Sequence, residues 1–292
     1  MDHLKLGGLD IHRIHEIIDP DCPKDFLFPT LAQETLDRHV GWLAPDYYDA
    51  RRQRFLISIH SWLVRTDRHT ILIDTCGGNH KPRAHFPIFH QLNTPYLENL
   101  KAAGCRPEDI DYVFCTHLHI DHVGWNTHLQ DGRWVPTFPN AKYLFGRKEY
   151  EITNPATNAG LPPERATVFE DSVLPVVQAG QSQLVDDGFA IDGQFTVEAS
   201  PGHTLGHCLM RARSQGRTAL FTGDALHHPL QIAEPDVCSR SCADPTLEAR
   251  SRRRIFDDCA EHGHLLVPAH FCGPHVGHVR RRGEAFEFLP GL

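Results

Sequence analysis

No apolar run in the 292-residue chain is long enough to span a bilayer. The opening MDHLKLGGLD also lacks the apolar h-region of a secretory signal. Together these absences lead us to expect a cytoplasmic protein with no membrane partner. No C-x-x-C pair occurs, which excludes a zinc ribbon or a thioredoxin-type motif. The nine cysteines, at positions 22, 76, 105, 115, 208, 238, 242, 259 and 272, are odd in number and scattered, as reduced thiols would be. One C-x3-C, Cys238 with Cys242, reads as two free thiols. Positive charge is not in excess either: 29 Lys and Arg against 37 Asp and Glu leave a net charge of -8, which speaks against a nucleic-acid partner. The single basic run, Arg250-Ser251-Arg252-Arg253-Arg254, is expected to be a solvated helix face. There is no low-complexity tract and no fixed-period repeat.

What is present is an ordinary globular balance, 40% hydrophobic and 23% charged, in a chain long enough to bury its own core. We expect a single domain over 1–292, with 1–50 as an N-terminal arm that suggests a homodimer. Strands are expected at Leu9 to Ile18, Phe55 to Val64, Ile71 to Ile73, Tyr112 to Cys115, Phe195 to Ala199, His207 to Ala212, Thr218 to Thr222 and Leu265 to Val267. Thr66-Asp67-Arg68-His69 reads as a hairpin turn. Helices are expected at Thr94 to Ala103 and from Asp244-Pro245 to about Glu261. Asp19 to Ala50 shows no clear period. Strands alternate with helices and polar residues gather at strand ends, which suits a layered α/β architecture with its site on one edge.

Histidine is abundant, with 22 in the chain, and three fall within six positions of "CTHLHIDHVGWN", Cys115 to Asn126. On a helix His117 and His119 would point about 200° apart and could not share an ion. In a loop that follows a strand, alternate side chains point the same way and they can. Asp121 and His122 come next and could serve a second ion. Imidazole with carboxylate suits Zn²⁺, and also Mn²⁺, Fe²⁺ or Co²⁺. A lone histidine is more often a core or surface residue, but three imidazoles and a carboxylate buried together are costly without a cation.

His117-Leu118-His119-Ile120-Asp121-His122 resembles the H-x-H-x-D-H signature of the metallo-β-lactamase superfamily. Four further motifs follow that family's order: Asp74 in "ILIDTCGG", His203 in "SPGHTLGH", Asp224 in "LFTGDALHH" and His270 in "LLVPAHF". The resemblance covers about Phe55 to His270. It implies a four-layer αββα sandwich with two divalent metal ions, zinc first. His117, His119 and His203 would hold one ion, and Asp121, His122 and His270 the other. Asp224 would bridge them, and Asp74 would steady an imidazole ligand from behind.

Within the superfamily, "GRWVPTFPNAKYLFGRKEYE", "DTCGGNHKPR" and "TGDALHHPLQIAEPDV" look most like the branch of quorum-quenching lactonases and methyl-parathion-hydrolase-like enzymes. The implied activity is that of a metal-dependent hydrolase, in which a metal-bridging hydroxide attacks the carbonyl of a small-molecule lactone or carboxylic ester. Asp121 or Asp224 would pass a proton to the leaving alkoxide. The alternative is phosphotriester hydrolysis at the same metals. Three points stay open at this stage. Cys76 stands where many members have glycine. His227 and His228 stand where some lactonases supply a tyrosine. Phe26, Phe28, Tyr47, Tyr48, Phe86 and Phe89 could wall a pocket or fill a core.

Overall fold

The computed structural model describes residues 2–292. It divides into two compact units: residues 2–17 with 59–189, and residues 18–58 with 190–292.

The first unit is built on a sheet of strand order His3–Leu6, Leu9–Pro23, Arg54–Arg65, Thr70–Ile73, Tyr112–Cys115, Lys142–Gly146 and Ser182–Val185. The predicted hairpin is present: the Thr66 N–H donates to the His69 carbonyl at 2.9 Å, and Trp62 faces Ile73 across the antiparallel pair. From Thr70 onward the pairing is parallel, with Ile71 beside Tyr112 and Tyr112 beside Lys142. Parallel strands are covered on both faces and so read as short, unbroken apolar runs such as Ile71-Leu72-Ile73 and Val113-Phe114, all buried. Ile73 pairs with Phe114, so the two strands end within one residue of each other, Cys115 running one further. Their continuations, Asp74 and Thr116-His117, therefore emerge side by side, where sites form on sheets of this kind. The helix expected at Thr94 runs Tyr96–Ala102 with Pro95 at its N-cap. Thr94 does not cap it; its N–H donates to Asn79 Oδ1 at 2.8 Å.

In the second unit the sheet runs Ala190–Ile191, Phe195–Ala199, Cys208–Ser214, Arg217–Gly223, Leu265–Pro268, Gly277–Arg282 and Ala285–Pro290. Arg217–Gly223 and Leu265–Pro268 are parallel and end together, Gly223 beside Pro268. Asp224 and Ala269-His270 leave from that edge. Ala199 pairs with Cys208, so the turn between them, which carries His203, opens on its own strand end. The long helix Pro245–His262 begins as expected, with Asp244 Oδ1 accepting the Leu247 N–H at 2.9 Å, and stops at Gly263 with φ 67°.

Two expectations differ from what is seen. The segment without clear period contains a helix, Gln33–Leu43. Its apolar contacts are only Leu36 and Leu43 with half-buried Val40, and the exposed Gly41 and Trp42 blur the pattern. The basic run is not a wholly solvated face. Arg252 is fully buried, pairing with Glu248 at 2.7 Å and donating to the carbonyls of Ala225, Pro235 and Val237. Five donors in a planar fork let one arginine saturate several loop carbonyls, a role that no charge count reveals.

Candidate metal centre

In the first unit, residues 116–122 form the loop after strand Tyr112–Cys115, as the spacing required. The imidazoles of His117 and His119 have centroids 4.5 Å apart, and those of His117 and His122 4.1 Å. His117 and His122 are buried, whereas His119 and Asp121 are half-buried. Asp74 holds the loop from behind. It accepts the Thr116 N–H at 2.8 Å and lies 2.9 Å from His122 Nδ1. With Nδ1 on that side, Nε2 faces outward, 3.8 Å from Asp121 Oδ1. Asp74 adopts φ 55°, a left-handed conformation that aspartate tolerates better than most residues.

The loop is laced onto residues 75–78 by backbone bonds: Thr75 N–H to the His122 carbonyl at 2.8 Å, Trp125 N–H to Thr75 at 2.7 Å and Gly124 N–H to Cys76 at 2.7 Å. The approach is so close that a Cβ at Gly124 would lie 1.9 Å from the Gly77 carbonyl oxygen. Two carboxylates that the sequence reading did not single out complete the support. Glu149 accepts the Leu118 N–H at 3.0 Å. Glu16 accepts from Trp125 Nε1 at 2.6 Å, Gly77 N–H at 2.7 Å and Gly78 N–H at 3.1 Å. Burial raises the Glu16 carboxyl above the usual carboxylate range, and these donors oppose the rise.

In the second unit, Asp224 is surrounded by imidazoles. His270 Nε2 lies 2.9 Å from Oδ1, and His203 Nε2 and His227 Nε2 lie 3.3 and 3.2 Å from Oδ2. All four residues are buried. His270 Nδ1 donates to the Ser58 carbonyl at 2.9 Å, again presenting Nε2. His207, which the sequence reading passed over, braces two of the turns: Nδ1 meets the Ser200 carbonyl at 3.0 Å, and Nε2 accepts the Asp224 N–H at 3.1 Å. The second histidine of "SPGHTLGH" was the available signal. The donor set fits a transition metal. Nε2 atoms are grouped on buried carboxylate oxygens, the far nitrogen of His270 is bonded to a carbonyl and that of His122 lies 2.9 Å from a carboxylate oxygen, the surroundings metal-ligating histidines adopt.

The open candidates now separate. His227 belongs to the Asp224 cluster. His228 belongs to the core, packed on Phe28, Tyr47 and Phe55 with Nε2 on the Tyr47 carbonyl at 2.9 Å; burial lowers its pKa to about 4, so it stays neutral. Cys76 is buried, with its sulfur 3.3 Å from Ser61 Oγ, which in turn lies 2.7 Å from the Tyr96 hydroxyl. Tyr48 and Phe89 are also buried, while Phe26 and Phe86 are exposed. His275 is buried with Nδ1 on the Phe271 carbonyl. A third cluster, His3, Asp10 and His12, already holds a cation: Arg65 Nη2 is 2.8 Å from His12 Nε2 and 3.1 Å from Asp10 Oδ2.

The family model of the metallo-beta-lactamase superfamily matches residues 55–270. The chain is 35% identical over 189 residues to the N-acyl homoserine lactonase AttM of Azorhizobium caulinodans, covering 59% of this chain and 66% of that protein. It is 31% identical to AttM of Rhizobium radiobacter, covering 65% and 71%. The chain thus matches about two thirds of these relatives' length. Among solved structures, the hydrolase AbOPH of the beta lactamase superfamily superposes with a TM-score of 0.83 at 26% identity, covering 99% of this chain and 97% of that one. AidC, a dizinc quorum-quenching lactonase, superposes at 0.77 with 22% identity, covering 99% and 97%, a likeness of fold. With three quarters of its length inside the family model and its histidine- and aspartate-bearing loops on the strand ends, the chain belongs to the metallo-beta-lactamase superfamily and has its fold.

Proposed function

We propose that the chain hydrolyses a lactone or carboxylic ester with two divalent metal ions, zinc first, held by His117, His119, Asp121, His122, His203, Asp224 and His270. The observation that carries the reading is the Asp224 cluster, a buried carboxylate met on both oxygens by imidazole Nε2 atoms. The names of the relatives make N-acyl homoserine lactones the first substrates to try.

When bound, the ions supply a hydroxide nucleophile at neutral pH and a Lewis acid for the carbonyl oxygen. The chain's own residues do the rest. Asp74 and the Ser58 carbonyl orient His122 and His270 through their Nδ1 atoms. Of the two aspartates assigned to proton transfer, Asp121 has 18% side-chain exposure against 4% for Asp224. On that difference we assign to Asp121 the taking of a proton and its return to the leaving alkoxide, while Asp224 would hold metal. His227, 3.2 Å from Asp224, lines the same cluster.

The test is kcat/KM on an acyl-homoserine lactone, an aryl ester and an aryl phosphotriester, with metal content measured on the same protein. Lactone turnover that chelator abolishes supports the reading. A preference for the phosphotriester, or less than one metal equivalent with chelator-insensitive turnover, overturns it.

A further inference from the structure

The C-x3-C pair is not part of the ligand set, yet it is built into the support of one ligand. Of the nine thiols, Cys242 alone is part-exposed; the other eight are buried. A turn closed by the Cys242 N–H on the Ser239 carbonyl, at 3.3 Å, folds Cys242 back toward Cys238, whose thiol donates to the Pro245 carbonyl at 3.2 Å. The Cys242 thiol also contacts the Glu248 carboxylate and lies 3.2 Å from Ser239 Oγ. Arg252 places Nη1 3.8 Å from Cys238 Sγ and Nη2 2.7 Å from Glu248 Oε1. That guanidinium is a resident cation between thiol and carboxylate, which disfavours a third metal there. The two sulfurs thus stand on the two halves of one ion pair, Cys238 on Arg252 and Cys242 on Glu248. A part-exposed thiol resting on a carboxylate, with a second thiol four positions away on the same ion pair, is the arrangement of a redox dithiol.

The same segment grips the His203 turn. Ala243 N–H donates to the His203 carbonyl and Asp244 N–H to the Gly202 carbonyl, each at 2.9 Å, and Ser239 Oγ lies 3.4 Å from His227 Nε2. Gly202, at φ 141°, sits so tightly on Glu248 that a Cβ there would fall 2.2 Å from the Glu248 backbone. Closing a disulfide requires the sulfurs to approach to about 2.0 Å. That movement takes the Cys242 sulfur away from Glu248 and Ser239 and drags residues 239–244 with it.

We propose that Cys238 and Cys242 form a reversible dithiol–disulfide site, oxidised by a hydroperoxide, whose closure displaces the Gly202-His203 turn and weakens metal binding. The proposal rests on His203 being a metal ligand. Cys242, the part-exposed thiol, gives its proton to Glu248 and attacks an oxygen of hydrogen peroxide; the O–O bond breaks, the departing hydroxide takes that proton, and a sulfenic acid and one water form. Cys238 sulfur then displaces the hydroxyl, which leaves with the Cys238 proton as a second water, so that two thiols lose two electrons and two protons to the peroxide in closing the disulfide.

The experiment treats zinc-loaded protein with stoichiometric hydrogen peroxide. It reads the peptide spanning 238–242 by mass spectrometry, zinc release to a chromogenic chelator, and lactone turnover before and after dithiothreitol. The expected result is a 238–242 cross-link two hydrogens lighter, zinc affinity lowered about 10-fold or more, and recovery on reduction. C238S and C242S should keep zinc and rate through the same treatment. Absence of the cross-link, or a cross-link with zinc release unchanged, overturns the proposal. If the reduced protein turns over no lactone, the proposed function fails separately, and zinc release still decides this one.

Discussion

At the residue scale, positions adjacent in sequence have opposite duties. His227 meets Asp224 at 3.2 Å, whereas His228 is wedged among Phe28, Tyr47 and Phe55. H228A should therefore cost about 2–3 kcal/mol of stability through a cavity and a lost hydrogen bond to the Tyr47 carbonyl, and leave the zinc content unchanged. Denaturant unfolding alongside metal analysis would separate the two effects. Asp74 acts through a neighbour: it touches Thr116 and His122. D74N should lower zinc affinity about 10- to 100-fold while the circular dichroism spectrum stays native, as measured by competition with a chelator. The proposed ligands were legible in the sequence because each combines a metal-competent donor with a strand-end position. Glu16 was not legible, because it supports Trp125 from 109 positions away.

At the scale of elements, the metal loop depends on a backbone approach that only glycine permits. G124A should destabilise the fold by about 3 kcal/mol, since its methyl group would meet the Gly77 carbonyl; a fall in Tm together with weaker metal retention is the expected pair of results. Farther along, residues 81–83 are tied to the helix Pro163–Ser172 by a buried clasp. Arg83 grips Asp171 through two bonds of 2.6 and 2.7 Å, and the Lys81 ammonium lies 2.9 Å from Thr127 Oγ1 and 3.7 Å over the Trp134 ring. Burial lowers the Lys81 pKa to about 7, with Asp171 opposing and Arg83 adding. The unfolded chain keeps that lysine protonated to about 10.5, so between about 7 and 10.5 the folded state holds fewer protons and gains stability as pH rises. Below 7 both states are charged, and the cost of burying the ammonium is complete. Relative to K81M, the wild-type unfolding free energy should climb by at most about 1.4 kcal/mol per pH unit across that window. Urea titrations on both sides of neutrality would show it, and a flat difference would refute it.

For the whole molecule, metal binding and folding stability are linked. An ion that binds only the folded chain adds about 4 kcal/mol when present at a thousandfold excess over its Kd. Stripping metal with a chelator should therefore lower Tm and abolish lactone turnover together, and added zinc should restore both; scanning calorimetry with a parallel rate assay is the check. The net charge of -8 also leads us to expect no salt-dependent retention on a nucleic-acid column.

By itself the sequence determined the family, the strand-ending pattern and the proposed ligand set, because metal chemistry restricts donor types and the parallel-sheet edge restricts where they stand. Only the tertiary structure decided which histidine of the 227–228 pair joins the site, that Arg252 is buried in an otherwise basic run, and that Cys238 and Cys242 lie against the support of His203. Those facts depend on contacts between residues far apart in the chain. A local pattern carries no record of which distant carbonyl, carboxylate or glycine comes to rest beside a side chain.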